Sequence, residues 1–183
     1  MKRGLKAVQA AAIIIAAIIF LGIRSLPFKQ SAAPPVQSEN IFVARAVDGD
    51  TLKLSDGRRV RLIGLDTPEL HYSEKLLRDA KRTNRDIEAI KAMGKRAGQF
   101  TKKLCEGKRV RLEFDVTRFD KYRRTLAYVY LEDGTFVNAQ VLKEGYAQVM
   151  TIPPNVKYAD YFLKLQREAR DARRGLWAGT DEL

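Results

Sequence analysis

The sequence contains almost none of the residue types that build disulfide frameworks and zinc sites. Its 183 residues include one cysteine, Cys105, and one histidine, His71. A single cysteine excludes an intramolecular disulfide and a cysteine-rich zinc site, and a single histidine excludes the paired-histidine zinc motifs. A Ser–His or Cys–His nucleophile would have to use His71 itself. Any bound metal must therefore be held by oxygen ligands, which favours Ca²⁺ or Mg²⁺.

Acidic residues are missing from the first 29 positions, which carry five lysines and arginines. The whole chain has 34 Lys and Arg against 22 Asp and Glu, a formal net charge of +12. Beyond residue 29 the balance is 29 basic against 22 acidic residues, or +7. A basic domain suits a polyanion such as nucleic acid or an anionic membrane surface, although many small soluble domains are equally basic. The length is that of one domain with a substantial core.

Long apolar runs are absent except near the N-terminus, from Ala7 to Ile23. Three basic residues precede this run, a pattern typical of a signal peptide or a single signal anchor. Small residues of a cleavage site do not follow it directly, which favours an uncleaved anchor; a buried core helix is the remaining alternative. We therefore predict an anchor, transmembrane helix or signal peptide over 1–24 and a flexible linker over 25–40. The positive end should stay in the cytoplasm and the remainder lie outside it.

The folded domain is predicted over 41–178, with a short tail at 179–183. Alternating apolar residues and Asp-Gly turns predict five strands, over 41–47, 51–54, 59–65, 108–114 and 125–131. Helical periodicity predicts about three helices, over 87–104, 138–144 and 158–173, with Asn138 as the cap of the second. Five short strands with helices inserted late and at the end indicate an α+β domain built on an OB-fold barrel.

A polar, basic stretch over 72–85 lacks a clear pattern. It is either a mobile loop or an exposed helix, and its charges serve either as a solvated face or as a surface that tracks phosphates.

Carboxylates and an arginine gather at predicted strand ends between residues 47 and 69. Asp50 ends an Asp-Gly-Asp turn, and Asp66 and Glu69 flank the Thr67-Pro68 turn. Clustered carboxylates hold a hard divalent cation, and arginines offer forked donors to phosphate oxygens. Each motif alone has an ordinary structural explanation, but their combination predicts metal-assisted cleavage of a phosphodiester.

The candidate site residues have separate roles. They are Asp50, Asp66 and the main-chain carbonyl of Thr67 as cation ligands, Glu69 as general base or water orienter, Arg61 and Arg124 as phosphate clamps, and Lys121 and Tyr122 as contacts to a flanking phosphate.

This set of motifs resembles the staphylococcal nuclease (thermonuclease) family from about Ile41 to Trp177. The segments that carry the resemblance are Val47-Asp48-Gly49-Asp50-Thr51, the run from Val60 to Glu69, the run from Asp120 to Tyr128, and Gly175-Leu176-Trp177. The resemblance implies an OB-fold barrel with three helices and a Ca²⁺-dependent endonuclease that acts on DNA and RNA and leaves 3′-phosphates. It implies one calcium ion, held by Asp50, Asp66 and Thr67, with Arg61, Glu69 and Arg124 as the catalytic residues.

Two positions depart from the family pattern. Arg123 stands where the family often has glycine between the tyrosine and the catalytic arginine. Met150-Thr151-Ile152-Pro153-Pro154 replaces a segment that stacks a base with tyrosine, and Tyr158 is a possible substitute for that tyrosine.

The expected partners are DNA and RNA, and the membrane through the N-terminal helix; the expected state is a monomer. The expected location is the cell membrane, single-pass with the catalytic domain outside, or the exterior after signal cleavage. The alternatives are a non-catalytic nucleic-acid-binding OB-fold module and a scaffold that binds anionic lipid or wall polymer.

Overall fold

The computed structural model describes residues 37–71, 73–83 and 86–178, and these belong to one compact unit, Pro34–Leu183. The predicted N-terminal anchor or signal peptide, most of the predicted linker and the tail at 179–183 lie outside the described residues. Among the helices that the structure describes, none is both long and apolar enough to cross a bilayer.

The described chain contains seven β-strands, four α-helices and one 3₁₀ turn. The strands are β1 (Gln37–Ala46), β2 (Thr51–Leu54), β3 (Arg59–Leu62), β4 (Gly64–Asp66), β5 (Arg109–Glu113), β6 (Thr125–Leu131) and β7 (Gln148–Met150). The helices are α1 (Glu74–Thr83), α2 (Ile87–Cys105), α3 (Val137–Lys143) and α4 (Ala159–Asp171), and the 3₁₀ turn is Gly175–Trp177.

Five strands close into a barrel in the order β1-β2-β3-β6-β5. The β3–β6 pair is parallel and the other pairs are antiparallel. Alternate residues of each strand point to one face, and the apolar sets fill the interior, where Val43, Leu52, Val60 and Val129 are buried. Closure leaves no free sheet edge within the barrel. The predicted α+β domain with a five-stranded OB-type barrel is confirmed.

The third predicted strand, 59–65, is interrupted in the structure. Gly64 adopts φ 85°, a conformation that glycine reaches without steric cost. A Cβ at Gly64 would also lie 2.5 Å from the ring of Phe162. The chain therefore leaves the barrel after β3, and β4 pairs with β7 instead. Because of this turn, Asp66 and Glu69 lie outside the barrel sheet.

Three further expectations about the elements need correction. The first strand begins at Gln37, four residues before the predicted start of the domain. Asn138 is not a helix cap: Phe136 precedes α3 as its N-cap, and Asn138 is fully buried inside the helix. Its amide accepts from Val129 N at 2.9 Å and donates to the carbonyl of Ile63 at 3.0 Å, so Asn138 joins the helix to β6 and to the turn between β3 and β4.

The basic stretch at 72–85 contains α1, which is a fourth helix where about three were expected. Leu76 is fully buried and anchors the helix to the domain. Arg78 and Asp79 lie on the side of α1 that borders a large cleft. The segment over 74–83 is therefore an exposed helix and not a loop.

Candidate active site

An open cleft of about 930 Å³ lies at one end of the barrel. Its walls come from the turn before β2, from β3 and β4, from α1, and from the loops before β6 and after β7. Seven of the eight predicted site residues line it, namely Asp50, Arg61, Asp66, Glu69, Lys121, Tyr122 and Arg124. The fold thus brings together residues that are up to 74 positions apart in the sequence.

Thr67 is the eighth predicted residue, and it lies behind the cleft wall as a buried support for Asp50. Its backbone N and its hydroxyl donate to Oδ2 of Asp50 at 2.9 and 2.8 Å. The hydroxyl of Thr51 donates to the other oxygen, Oδ1, at 3.1 Å. Three donors hold the Asp50 carboxylate in one orientation, and Asp50 itself is only 6% exposed. A buried carboxylate with this many partners is preorganised rather than mobile.

Arg61 projects from β3 between the two predicted cation ligands. Its Nη1 lies 2.7 Å from Oδ1 of Asp50, and its Nη2 donates to Oδ1 of Asp66 at 2.8 Å. The guanidinium is buried, with Arg61 8% exposed. Despite the short distance to Asp50, Nη1 makes no hydrogen bond of good geometry with any residue that the structure describes. We interpret this contact as an ion pair rather than a hydrogen bond.

Helix α2 sets the separation of the two loops that carry the carboxylates. The hydroxyl of Thr101 donates to the carbonyl of Gly49 at 2.8 Å, which ties the first loop to the helix. On the second loop, a Cβ at Gly94 would lie 2.6 Å from the carbonyl oxygen of Pro68 and 2.8 Å from the backbone of Glu69. The absence of a side chain at Gly94 therefore permits the close approach that places Glu69 at the cleft.

Asp48 is a cleft residue that the sequence reasoning treated only as part of a turn. Its Oδ1 accepts from Asp50 N at 3.0 Å, and its carboxylate lies in the cleft lining. Burial, together with the nearby Asp50 carboxylate, raises the pKa of the Asp48 carboxyl to about 6. The spacing of Asp48 and Asp50 could have indicated this, because residues i and i+2 on either side of a glycine can face the same pocket.

Arg124 is held on the opposite side of the cleft by a turn that Asp120 organises. Asp120 accepts hydrogen bonds from the backbone N–H groups of Tyr122 and Arg124, both at 2.9 Å, and from Nε of Arg124 at 2.7 Å. Arg123 in this turn has φ 62°, a left-handed conformation that glycine adopts without steric cost. Lys121 and Tyr122 stand at the exposed tip, with Lys121 Nζ 5.0 Å from the Tyr122 ring centre.

An apolar rim borders the cleft beside the Arg124 turn, and the sequence reasoning did not assign it. The rim consists of Phe119, Met150, Ile152, Pro153 and Pro154. Phe119 and Ile152 are each 61% exposed, which is unusual for large apolar side chains.

Tyr158 does not take the place of a base-stacking tyrosine. Its hydroxyl donates to Glu113 at 3.0 Å, and its ring packs 4.6 Å from the ring of Tyr128. Tyr158 is therefore part of an internal aromatic cluster rather than of the cleft lining.

The donor set suits a hard divalent cation. Asp48, Asp50 and Asp66 bring three carboxylates to the lining of one cleft, and carboxylate oxygens are the ligands that such cations prefer. The described residues include no cluster of three His, Cys, Asp or Glu side chains arranged to hold a metal by themselves. Main-chain oxygen, water and a substrate phosphate would have to complete the shell, as is usual for Ca²⁺ and Mg²⁺.

Comparison with known proteins identifies the group to which this chain belongs. A family model described as "Staphylococcal nuclease homologue" matches residues 59–179. The chain belongs to the staphylococcal nuclease family. The matched residues include β3, β4, the Arg124 turn and every helix that the structure describes, so the family assignment covers most of the cleft.

Three relatives support the same conclusion, and two of them match over nearly their whole length. The thermonuclease of Staphylococcus intermedius is 40% identical over 181 residues, which cover 97% of this chain and 99% of that protein. The thermonuclease of Staphylococcus hyicus is 34% identical over 173 residues, 91% of this chain and 94% of that protein. Endonuclease YncB of Bacillus subtilis (strain 168) is 36% identical over 144 residues, 76% of this chain and 62% of that protein. The predictions of a staphylococcal nuclease family member and of a nuclease, a hydrolase, are confirmed.

Proposed function

We propose that this chain is a Ca²⁺-dependent endonuclease that hydrolyses phosphodiester bonds of DNA and RNA and leaves 3′-phosphates. The observation that carries the proposal is the placement of Arg61 between Asp50 and Asp66, 2.7 and 2.8 Å from their carboxylates, in the same cleft as Glu69 and Arg124. Acidic groups for a cation, two guanidinium groups for a phosphate and a carboxylate for a water therefore share one space.

A phosphodiester resists hydrolysis because its negative charge repels a nucleophile and grows further in the transition state. Ca²⁺ bound by Asp50, Asp66 and the Thr67 carbonyl would neutralise a non-bridging oxygen of the scissile phosphate. Arg61 and Arg124 donate N–H groups to the phosphate oxygens from two sides of the cleft, where burial strengthens these bonds.

Glu69 is placed to accept a proton from the attacking water. The new bond forms between the water oxygen and phosphorus, and the bond from phosphorus to the 5′ oxygen breaks. The 5′ oxygen takes up a proton as it leaves, and the phosphate remains on the 3′ side. The close contact of Gly94 with the Glu69 backbone holds this carboxylate at its distance from the phosphate.

The outer cleft offers contacts to the rest of the substrate. Lys121 and Tyr122 are placed to meet a flanking phosphate, as their exposed position at the tip of the Arg124 turn allows. The exposed ring of Phe119 suits an unpaired base, since stacking on an aromatic face is tolerant of sequence, and Ile152 offers a further apolar contact. Single-stranded nucleic acid is therefore expected to be the better substrate.

The proposed location follows from the sequence of residues 1–24. An apolar run with basic residues before it favours an enzyme that is held at the cell membrane with its catalytic domain outside, or released after cleavage. We propose that the enzyme acts as a monomer.

The test is a plasmid-nicking assay on the full chain with Ca²⁺, with Mg²⁺ alone and with EDTA. Ca²⁺-dependent cleavage that EDTA abolishes is the expected result. Asp50→Ala and Arg124→Ala should each lower the rate by about 10³-fold or more, the scale of one arginine clamp in phosphoryl transfer. End-group analysis of the products should find 3′-phosphates.

Matched controls are available outside the cleft. Asp56→Ala and Arg109→Ala remove a carboxylate and a guanidinium that are exposed and absent from the cleft lining. Both should cleave at the rate of the unchanged chain. Salt-sensitive DNA binding without cleavage in any of these metals would refute the enzyme and support a nucleic-acid-binding module.

A further inference from the structure

Two segments on the Arg124 side of the cleft, residues 113–117 and 155–158, are joined by hydrogen bonds at three successive points. Glu113 accepts from Nζ of Lys157 at 2.6 Å and from the hydroxyl of Tyr158 at 3.0 Å. Asp115 accepts from the backbone N of Lys157 at 3.2 Å. Thr117 contacts Asn155. Glu113 is the last residue of β5, and Asp115 and Thr117 follow it in the segment that leads out of the strand.

The contact between Asn155 and Thr117 differs from the other two because it uses both ends of one side-chain amide. Oδ1 of Asn155 accepts from Thr117 N at 2.8 Å, and Nδ2 donates to the Thr117 carbonyl at 2.8 Å. Asn155 is 5% exposed. Only a primary amide can accept and donate to one backbone residue in this way. The backbone N of Asn155 also donates to the Ile152 carbonyl at 3.1 Å, which closes the turn that carries part of the apolar rim.

Thr117 begins the loop that ends at Arg124, here called the arginine loop (residues 117–124). Its two arms pair with each other: Leu126 N donates to the Arg118 carbonyl at 2.8 Å, and Phe119 bridges to Thr125. Asp120 then fixes Arg124 at the tip, as described above. Thr117 and Arg124 therefore lie at the two ends of one hydrogen-bonded loop.

Thr117 and Asn155 both line the cleft, whereas Glu113, Asp115 and Lys157 do not. Of the three contacts, the pair of hydrogen bonds made by the Asn155 side-chain amide is therefore the one nearest the site. It joins the arginine loop to the turn 152–155 and so sets the width of the cleft between Arg124 and the apolar rim.

We propose that Asn155 is a positioning residue for Arg124. It touches neither phosphate nor cation; it holds the arginine loop at the separation that lets Arg124 reach the scissile phosphate. This role rests on the proposed function, because it assigns Asn155 to the catalytic step through Arg124.

The first test compares Asn155→Asp with Lys157→Met in the full chain, on a fluorescent single-stranded DNA oligonucleotide with Ca²⁺. Asn155→Asp keeps the shape and the acceptor but loses the donor, and it sets a carboxylate against the Thr117 carbonyl. We expect kcat to fall about 10- to 100-fold, since a displacement of about 1 Å can cost that much, with KM changed less than about threefold. Lys157→Met removes the ion pair with Glu113, which lies outside the cleft lining. It should leave kcat within about twofold of the value for the unchanged chain.

A double-mutant cycle with Arg124→Ala separates a positioning role from a general loss of order. If Asn155 acts through Arg124, Asn155→Asp should lower the remaining rate of the Arg124→Ala variant by less than about threefold. A full loss in that background would overturn the proposal, as would an unchanged kcat in Asn155→Asp alone.

Hydrogen exchange gives a readout that does not require activity. We expect the backbone amides of Arg124 and Leu126 to exchange at least about tenfold faster in Asn155→Asp than in the unchanged chain, and the barrel amide of Val129 to keep its rate. Unchanged exchange of the two loop amides would overturn the proposal. If the unchanged chain cleaves no nucleic acid, the proposed function fails, and this experiment still decides whether Asn155 holds the arginine loop.

Discussion

Gly94→Ala adds a single methyl group, and this change should lower the activity far more than it lowers the stability. A Cβ there would lie 2.6 Å from the Pro68 carbonyl oxygen and 2.8 Å from the carbonyl carbon and oxygen of Glu69. Carbon–oxygen contacts in proteins are about 3.3–3.6 Å at their closest. Gly94→Ala must therefore move α2 and the Glu69 backbone apart by roughly 0.7–1 Å.

The two consequences of Gly94→Ala have different magnitudes. Alanine gains about 1 kcal/mol over glycine in a helix, but overpacking costs about 1–3 kcal/mol. The free energy of unfolding should therefore fall by about 0–2 kcal/mol, which leaves the protein folded. The shift of Glu69 should lower kcat by up to about 10²-fold, because the reacting water must be aligned to within a fraction of an ångström.

Gly98→Ala is the matched control, one turn further along the same helix. A Cβ at Gly98 would lie 3.7 Å from its nearest neighbour, the Cα of Asp48, which is an ordinary contact. This variant should keep its kcat and raise Tm by about 2–4 °C. Oligonucleotide cleavage with Ca²⁺ and thermal unfolding, measured on both variants, check the prediction. Gly94→Ala with unchanged kcat and a raised Tm would refute the reasoning.

Three further predictions concern the Arg124 side of the cleft. Phe119→Ala should raise KM for a single-stranded oligonucleotide about tenfold, since stacking contributes about 1–3 kcal/mol per base, whereas Val116→Ala, exposed but outside the cleft lining, should not. Arg123→Gly should raise the free energy of unfolding in urea by up to about 1 kcal/mol by relieving the φ of 62°; a similar rise in Arg123→Ala would contradict this cause. Asp120→Asn should lower kcat about tenfold by loosening Arg124. Partial burial acts to raise the pKa of Asp120, but hydrogen bonds from Arg124 outweigh it and lower that pKa. The Asp120 contribution to stability is therefore present above the unfolded pKa of about 3.9 and lost as the pH falls below it, so the decline in Tm between about pH 5 and pH 2 should be shallower in Asp120→Asn.

The barrel and the acidic cluster were predictable from the sequence because both follow from local patterns. Alternating apolar residues in β2, β5 and β6 specify which face of each strand is buried. Glycine turns specify where strands end, and carboxylates at strand ends meet when the strands pair. The same reasoning brought Asp50, Asp66 and Arg61 to one place, and the structure finds them in contact.

The break after β3 was not predictable from the pattern alone. The pattern predicts one strand over 59–65 because Val60 and Leu62 alternate with Arg61 and Ile63. The position of the Phe162 ring beside Gly64 and the pairing of β4 with β7 depend on segments about 85–100 residues away. Asn138 was misassigned for the same reason, since its burial against two strands outweighs its preference for a helix start.

The sequence by itself determined the chemistry: the residue types, their order, the oxygen-ligand character of a metal site and the family. Only the tertiary structure decided how those groups are held. The contact of Gly94 with the Glu69 backbone, the membership of Asp48 in the cleft, and the amide of Asn155 on Thr117 all join segments far apart in the chain. Such contacts leave no periodic signal, because they depend on the distance between packed elements rather than on the spacing of residues along one of them.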